Sequence, residues 1–154
     1  MDEIDRHILI ALQNDGAAGL AELSKVSGLS VSATAERVKR LEERQTIRGW
    51  RADLDPAAVG CPLLGFVFVA LRPGRDEAFR QAMARLEPVL ECHAVTGVWS
   101  YLLKLRLPDL GAFEQFVLAE IRSELGVERT ETVLALVTAK ETAILPVAPA
   151  TEDD

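Results

Sequence analysis

Six basic side chains crowd one short stretch of an otherwise acidic chain. Arg37, Lys39, Arg40, Arg44, Arg48 and Arg51 fall between Thr34 and Arg51, against the three acids Glu36, Glu42 and Glu43. The whole chain carries −7, and duplex DNA repels an acidic partner, so distribution matters more than the total. The chemistry implied by a local excess of cations is the holding of phosphates, and an arginine can also read a guanine edge with two N–H donors, worth roughly 1–3 kcal/mol of discrimination. At helical spacing Val31, Thr34, Ala35, Val38 and Leu41 gather on one side of this segment. Ser32, Ala33, Glu36, Lys39, Arg40, Glu43 and Arg44 gather on the other. A helix that reads a groove needs small or polar residues near its start and cations at its flanks. Ser32, Ala33 and Thr34 meet the first need, and Lys39, Arg40 and Arg44 the second. Arg37 lies at the border, placed either to reach a base or to pair with Glu36 or Glu42. On charge alone a solvated helix face is the better reading of these residues; the elements around them reverse that.

Those elements are three short helices and a predicted hairpin. Ile4, Ile8, Leu9 and Leu12 recur at helical spacing behind Asp2, a predicted N-cap, and Asp15-Gly16 stops the helix. A second helix is expected from Leu20 to Ser27, with Leu20, Leu23 and Val26 on its apolar face and Gly28 supplying the turn. Ser30 is placed to cap the third, from Val31 to about Arg44. The stretch from Ile47 to Leu54 mixes β-formers with polar residues and suits a two-stranded wing carrying Arg48 and Arg51. Helix, glycine turn and helix followed by a basic wing is the plan of a winged helix-turn-helix, expected over residues 1–54.

Residues 55–63 hold Pro56, Gly60 and Pro62 and read as a linker. Beyond it strands alternate with helices through residues 64–145: a strand over 65–71, a helix over 76–86, strands over 89–96 and 101–107, a helix over 110–125 and a strand over 127–137. Leu71-Arg72-Pro73 before Ala78-Phe79 echoes Leu105-Arg106-Leu107-Pro108 before Ala112-Phe113. Such a duplication predicts a ferredoxin-like βαββαβ sandwich, an antiparallel sheet with both helices on one face. The bare face needs a cover, which predicts an isologous homodimer at least. Residues 146–154, rich in Pro, Ala and acids, are expected to be a mobile tail.

Taken in order, these residues resemble a known family. Asp5-Arg6-His7-Ile8-Leu9, Leu20-Ala21-Glu22-Leu23-Ser24, Gly28-Leu29-Ser30, Arg37-Val38-Lys39-Arg40-Leu41-Glu42 and the run from Ile47 to Pro56 are similar to the winged helix of the Lrp/AsnC regulators of bacteria and archaea. Glu91-Cys92, Val95-Thr96-Gly97 and Tyr101-Leu102-Leu103 resemble that family's ligand-sensing RAM domain. The resemblance covers nearly the whole chain. It implies a transcriptional regulator that binds double-stranded DNA, dimers that often assemble into octameric rings, and amino-acid effectors held between RAM domains around the turn at Thr96, Gly97, Val98, Trp99, Ser100 and Tyr101. The family usually places an Asp directly after that glycine and another two positions later, where this chain has Val98 and Ser100. A partly buried ammonium without a counter-ion is costly, so a less cationic ligand than an amino acid, or none, is expected. Trp99 and Tyr101 are placed either to touch a ligand or to pack at a dimer interface. A second departure is Gln45-Thr46 where the family commonly has Gly-Val, at a position that favours left-handed backbone.

Other chemistry finds little support. Siroheme decarboxylases are similar to this family and carry a His-centred tetrapyrrole site on the strand of His93, but the Asn-Tyr expected after the histidine is replaced by Ala94-Val95. An oligomeric ligand-binding scaffold without DNA binding is the third reading. His7 has no ligand partner at metal spacing, and Cys61 and Cys92 lie near no His/Cys cluster, so both thiols read as buried apolar groups in a reducing compartment. No catalytic set and no cofactor are indicated. The acids Asp2, Glu3 and Asp5 do not suit a secretory leader, and the apolar run from Cys61 to Leu71 is shorter than the ~20 residues a bilayer demands. A cytoplasmic protein with no membrane association is expected.

Overall fold

The computed structural model describes residues 1–148, which divide into two compact units: residues 1–53 together with residues 140–148, and residues 54–139. The first unit is helical. Helix α1 spans Glu3–Asn14, α2 Leu20–Ser27 and α3 Val31–Glu43. Local chemistry explains their starts. Asp2 caps α1 by accepting from the Asp5 N–H, Glu22 reaches back to the Gly19 N–H before α2, and Ser30 caps α3 by accepting from the Ala33 N–H at 3.2 Å. Between α2 and α3, Gly28 takes the left-handed conformation that ends one helix and frees the next to cross it. Ile8 and Leu12 of α1, Leu23 of α2 and Leu41 of α3 close a small shared core, with Ile4, Leu9, Ala18, Val38 and Ile47 around it.

Helix α3 ends in a Schellman motif. The Thr46 N–H donates to Leu41 O at 2.9 Å and the Gln45 N–H to Glu42 O at 2.9 Å, which requires Gln45 itself to adopt φ +57°. The left-handed position foreseen there is real, and a side chain occupies it. The wing is a correction. No strand forms over 44–62; instead Gly49 adopts φ +151° and Trp50 folds back so that its indole N–H donates to Glu42 at 3.0 Å. β-forming residues without a pairing partner in their own chain yield an irregular segment.

The second unit carries β1 (Leu63–Leu71), α4 (Asp76–Met83), β2 (Val89–Ala94), β3 (Tyr101–Leu107), α5 (Leu110–Phe116) and β4 (Val127–Leu134). The strands form one antiparallel sheet in the order β2-β3-β1-β4, the ferredoxin-like plan. Alternation sorts its faces. Val67 and Val69 of β1 and Tyr101, Leu103, Leu105 and Leu107 of β3 bury with Phe79 and Met83 of α4 and with Phe113, Val117 and Ile121. The alternate residues Phe66, Phe68, Leu102, Lys104 and Arg106 belong to the face without helices. Expected element ends shift inward: the helix reaching 86 closes at Met83, the strands reaching 96 and 137 close at Ala94 and Leu134, and the helix over 110–125 becomes α5 followed by a π-turn over Val117–Ile121. Gly65 is required by close approach, because a Cβ there would lie 2.4 Å from the Phe113 ring.

By contacts, residues 54–139 make up the sheet unit, and the described segment from Lys140 onward groups with the helices. Residues 140–148 pack with the helices, so the expected tail is held at its start: Val147 O accepts from Arg6 at 3.2 Å. The rest of that predicted tail, from residue 149, lies outside the described residues. Cys61 and Cys92 are half-buried rather than buried, and burial raises the Cys92 thiol above the usual cysteine range.

Candidate nucleic-acid interface

Helix α3 separates its side chains as an amphipathic helix must. Leu41 and Thr34 are buried, Val38 is half-buried, and Ser32, Glu36, Lys39 and Arg40 are exposed. Beyond them Arg44, Arg48 and Arg51 are exposed too. The side chains of Arg40, Arg44, Arg48 and Arg51 make no hydrogen bond or ion pair among the described residues, and Lys39 has a long 3.8 Å contact to Glu43. Four guanidinium groups on and just after one helix, without a partner among the described residues, have the chemistry that suits phosphate. The acids nearby are partly engaged, Glu42 by Trp50 and Glu43 by Lys39. At the start of the helix Ser30 and Ser32 hydroxyls lie 3.2 Å apart with Ala33 half-buried behind them, a low, polar edge where a backbone can come close.

Two residues expected to contact DNA are placed otherwise. Thr34 is 0% exposed; its hydroxyl donates to Ser30 O and lies 3.0 Å from the Ser27 hydroxyl, so it joins α2 to α3. Its place on the packing side of the helix outweighs its polarity. Arg37 does not pair with Glu36 or Glu42, nor does it reach outward. Its Nη1 donates to Asp2 at 2.6 Å and to Asp5 at 2.8 Å. Those bonds raise the Arg37 pKa, and the Asp2 carboxyl is lowered first by the Asp5 N–H it caps and then by Arg37. Asp2 was legible as the cap of α1; that it and Asp5 of the first turn meet α3 is a fact of packing.

The turn between β2 and β3 splits what the sequence grouped. Thr96, Gly97 and Val98 are exposed, Val98 by 78%, and Gly97 adopts φ +105°. Trp99 turns to the bare sheet face, its ring 5.8 Å from Phe68 and the Arg129 guanidinium 4.3 Å above it. Tyr101 turns the other way into the core beside Phe79, donating its hydroxyl to Asp76 at 3.3 Å, and burial raises its pKa. Tyr101 is thus a core residue rather than an exposed contact. Ser100 closes the turn: its N–H donates to Val69 O at 2.8 Å and its hydroxyl accepts from the Leu71 N–H at 3.0 Å. Glu91 of β2 is contacted by His93 of the same strand at 3.2 Å and by Lys104 of β3 at 3.1 Å, and these bonds lower the Glu91 carboxyl, His93 first.

Comparison with known proteins decides the family. The AsnC-type helix-turn-helix domain model matches residues 1–42, and the Lrp/AsnC ligand binding domain model matches residues 64–145. The chain belongs to the Lrp/AsnC family. It is 40% identical over 144 residues to the leucine-responsive regulatory protein of Escherichia coli K12, covering 92% of this chain and 88% of that one. A transcriptional regulator of Neisseria meningitidis, solved in complex with L-methionine, superposes with a TM-score of 0.89 at 35% identity over 95% of this chain and 96% of its own. An AsnC family regulator of Agrobacterium tumefaciens gives 0.88 at 30% identity, over 95% and 97%. This member of the Lrp/AsnC family is thus a transcription regulator with an N-terminal helix-turn-helix and a C-terminal α+β sheet domain. No helix among its described residues is long and apolar enough to cross a membrane.

Proposed function

We propose that α3 enters the major groove of double-stranded DNA, with Ser32, Ala33 and Glu36 toward the bases and Lys39, Arg40, Arg44, Arg48 and Arg51 toward phosphates. The observation that carries this reading is the set of four exposed arginines with no partner among the described residues, in a chain of net charge −7. Self-pairing would have been the easy fate of those arginines in so acidic a protein. Thr34 and Arg37 serve the same surface from beneath by fixing α3 to α2 and α1.

A regulator of this kind acts as a homodimer covered across the bare sheet face, where Phe66, Phe68, Leu102 and Trp99 offer apolar surface, and dimers assemble further, as in an octamer. Two α3 helices then address two half-sites about one helical turn apart. The exposed turn at Thr96–Val98 is the effector contact. It offers no carboxylate, and the Ser100 hydroxyl is engaged within the sheet, so an uncharged or anionic small molecule suits it better than an α-amino acid. Calorimetry showing micromolar binding of L-methionine would refute that preference. The half-buried free thiols suit a reducing, cytoplasmic setting, and regulation rather than catalysis is the activity.

Selection of bound fragments from random duplex DNA tests the central claim. The expected result is an enriched two-fold symmetric site whose affinity falls steeply with salt as counterions are recaptured. Recovery of no enriched sequence, with weak and salt-insensitive binding, would show a scaffold instead.

A further inference from the structure

Residues 140–148 belong to the helical unit although they follow the sheet unit in sequence. Their attachment is specific. Gln13 on α1 reads the backbone of Leu145 from both sides: its Nε2 donates to Leu145 O at 3.0 Å, and its Oε1 accepts from the Leu145 N–H at 2.7 Å. One side-chain amide here does what a neighbouring strand would do. Two helical turns earlier on the same side of α1, Arg6 donates to Val147 O at 3.2 Å while pairing with Glu3 at 2.5 Å. Gln13 meets the earlier residue and Arg6 the later one, so the segment runs antiparallel to α1. Pro146 stands between the two contacts, where it has no N–H to leave unpaired and holds the chain extended.

The first turn of α1 is thereby engaged twice. Arg6 holds the C-terminal segment, and Asp2 and Asp5 hold Arg37 of α3. We infer that residues 140–148 form a strap docked on α1, that Gln13 and Arg6 are the positioning residues that seat it, and that the seated strap fixes the pose of α3 for reading base sequence. The chain leaves the helical unit after Asp53 and rejoins it at Lys140, so the strap is a second covalent tether on the DNA-reading head. The effect on α3 rests on the DNA-binding reading above; the docking itself does not.

The test uses the full chain with Gln13→Leu, which removes both hydrogen bonds, and Gln13→Glu, which keeps the acceptor and loses the donor. Leu145→Pro deletes the strap's donor without touching α1. Hydrogen exchange reads the Leu145 amide, and binding is measured to the selected duplex and to random duplex. The expected result is fast exchange at Leu145 in Gln13→Leu, with partial protection retained in Gln13→Glu. The ratio of selected to random affinity should fall by about tenfold in Gln13→Leu and Leu145→Pro, the size of an ordinary coupling between sites. A merely structural loss would lower both affinities together and leave the ratio unchanged, which overturns the positioning role. A Leu145 amide that exchanges freely in the unaltered protein overturns the strap. An unaltered protein that protects Leu145 yet binds all duplexes equally overturns the DNA-reading proposal while leaving the docking intact.

Discussion

Arg37 donates to Asp5 at 2.8 Å across 32 residues of sequence, tying the middle of α3 to the first turn of α1. The Arg37 side chain is 21% exposed and that of Asp5 16%, so the pair is better shielded than an ordinary surface contact. One of the cations of α3 is thereby withheld for construction.

Arg37→Ala should therefore destabilise the helical unit by about 1 kcal/mol, the upper range for a pair of this exposure. Thermal unfolding followed by circular dichroism checks this. An unchanged melting temperature with altered base preference would instead restore Arg37 to the reading surface.

The same cluster gives a pH dependence. Asp2 is held below its ordinary value of 3.8 by the Asp5 N–H and by Arg37. A depressed carboxyl stabilises the folded state fully above its unfolded value, and that contribution is lost as pH falls through the lower folded value. Acid melting of the helical unit should steepen below pH ~4, and Asp2→Asn should flatten that part of the curve.

Arg40→Ala and Arg44→Ala should each weaken binding to every duplex similarly. Each lost phosphate contact should reduce the slope of log affinity against log salt by about 0.9. Titrations at several salt concentrations measure both effects; an unchanged slope would remove these arginines from the interface.

How much of this was legible beforehand depended on the range of the interaction. Asp2 and Ser30 could be read as caps because a cap's acceptor and donor lie three residues apart. The strand Tyr101–Leu107 was legible to the residue, since its apolar positions alternate without a break. The wing was not, because β-propensity over 47–54 says nothing about the absence of a pairing strand. Sequence spacing offers Arg37 a base edge or its nearest acids, Glu36 and Glu42, whereas helix packing brings Asp2 and Asp5 to it. Gln13 carried no signal at all: its partner is the backbone of Leu145, and a backbone has no residue type to notice.

Gln45→Gly should stabilise the helical unit by about 1 kcal/mol, since a left-handed residue with a Cβ costs that much. A fall in stability would show that the Gln45 side-chain bond to Glu42 O outweighs the backbone term.

Gly65→Ala should cost about 1–3 kcal/mol as the Phe113 ring is forced off its site. Denaturant unfolding of the sheet unit measures it, and a neutral result would mean the ring has room to tilt.

The π-turn over Val117–Ile121 closes with the Arg122 N–H on Val117 O, five residues back. Phe113, Val117 and Ile121 are spaced four apart and all are buried, although four residues overshoot one α-helical turn. The looser coil winds the later residues back onto the line set by Phe113. The helix thus holds one residue more than a uniform coil of the same reach would need, so shortening the chain by one within this stretch is a change the hydrophobic seam is built to survive.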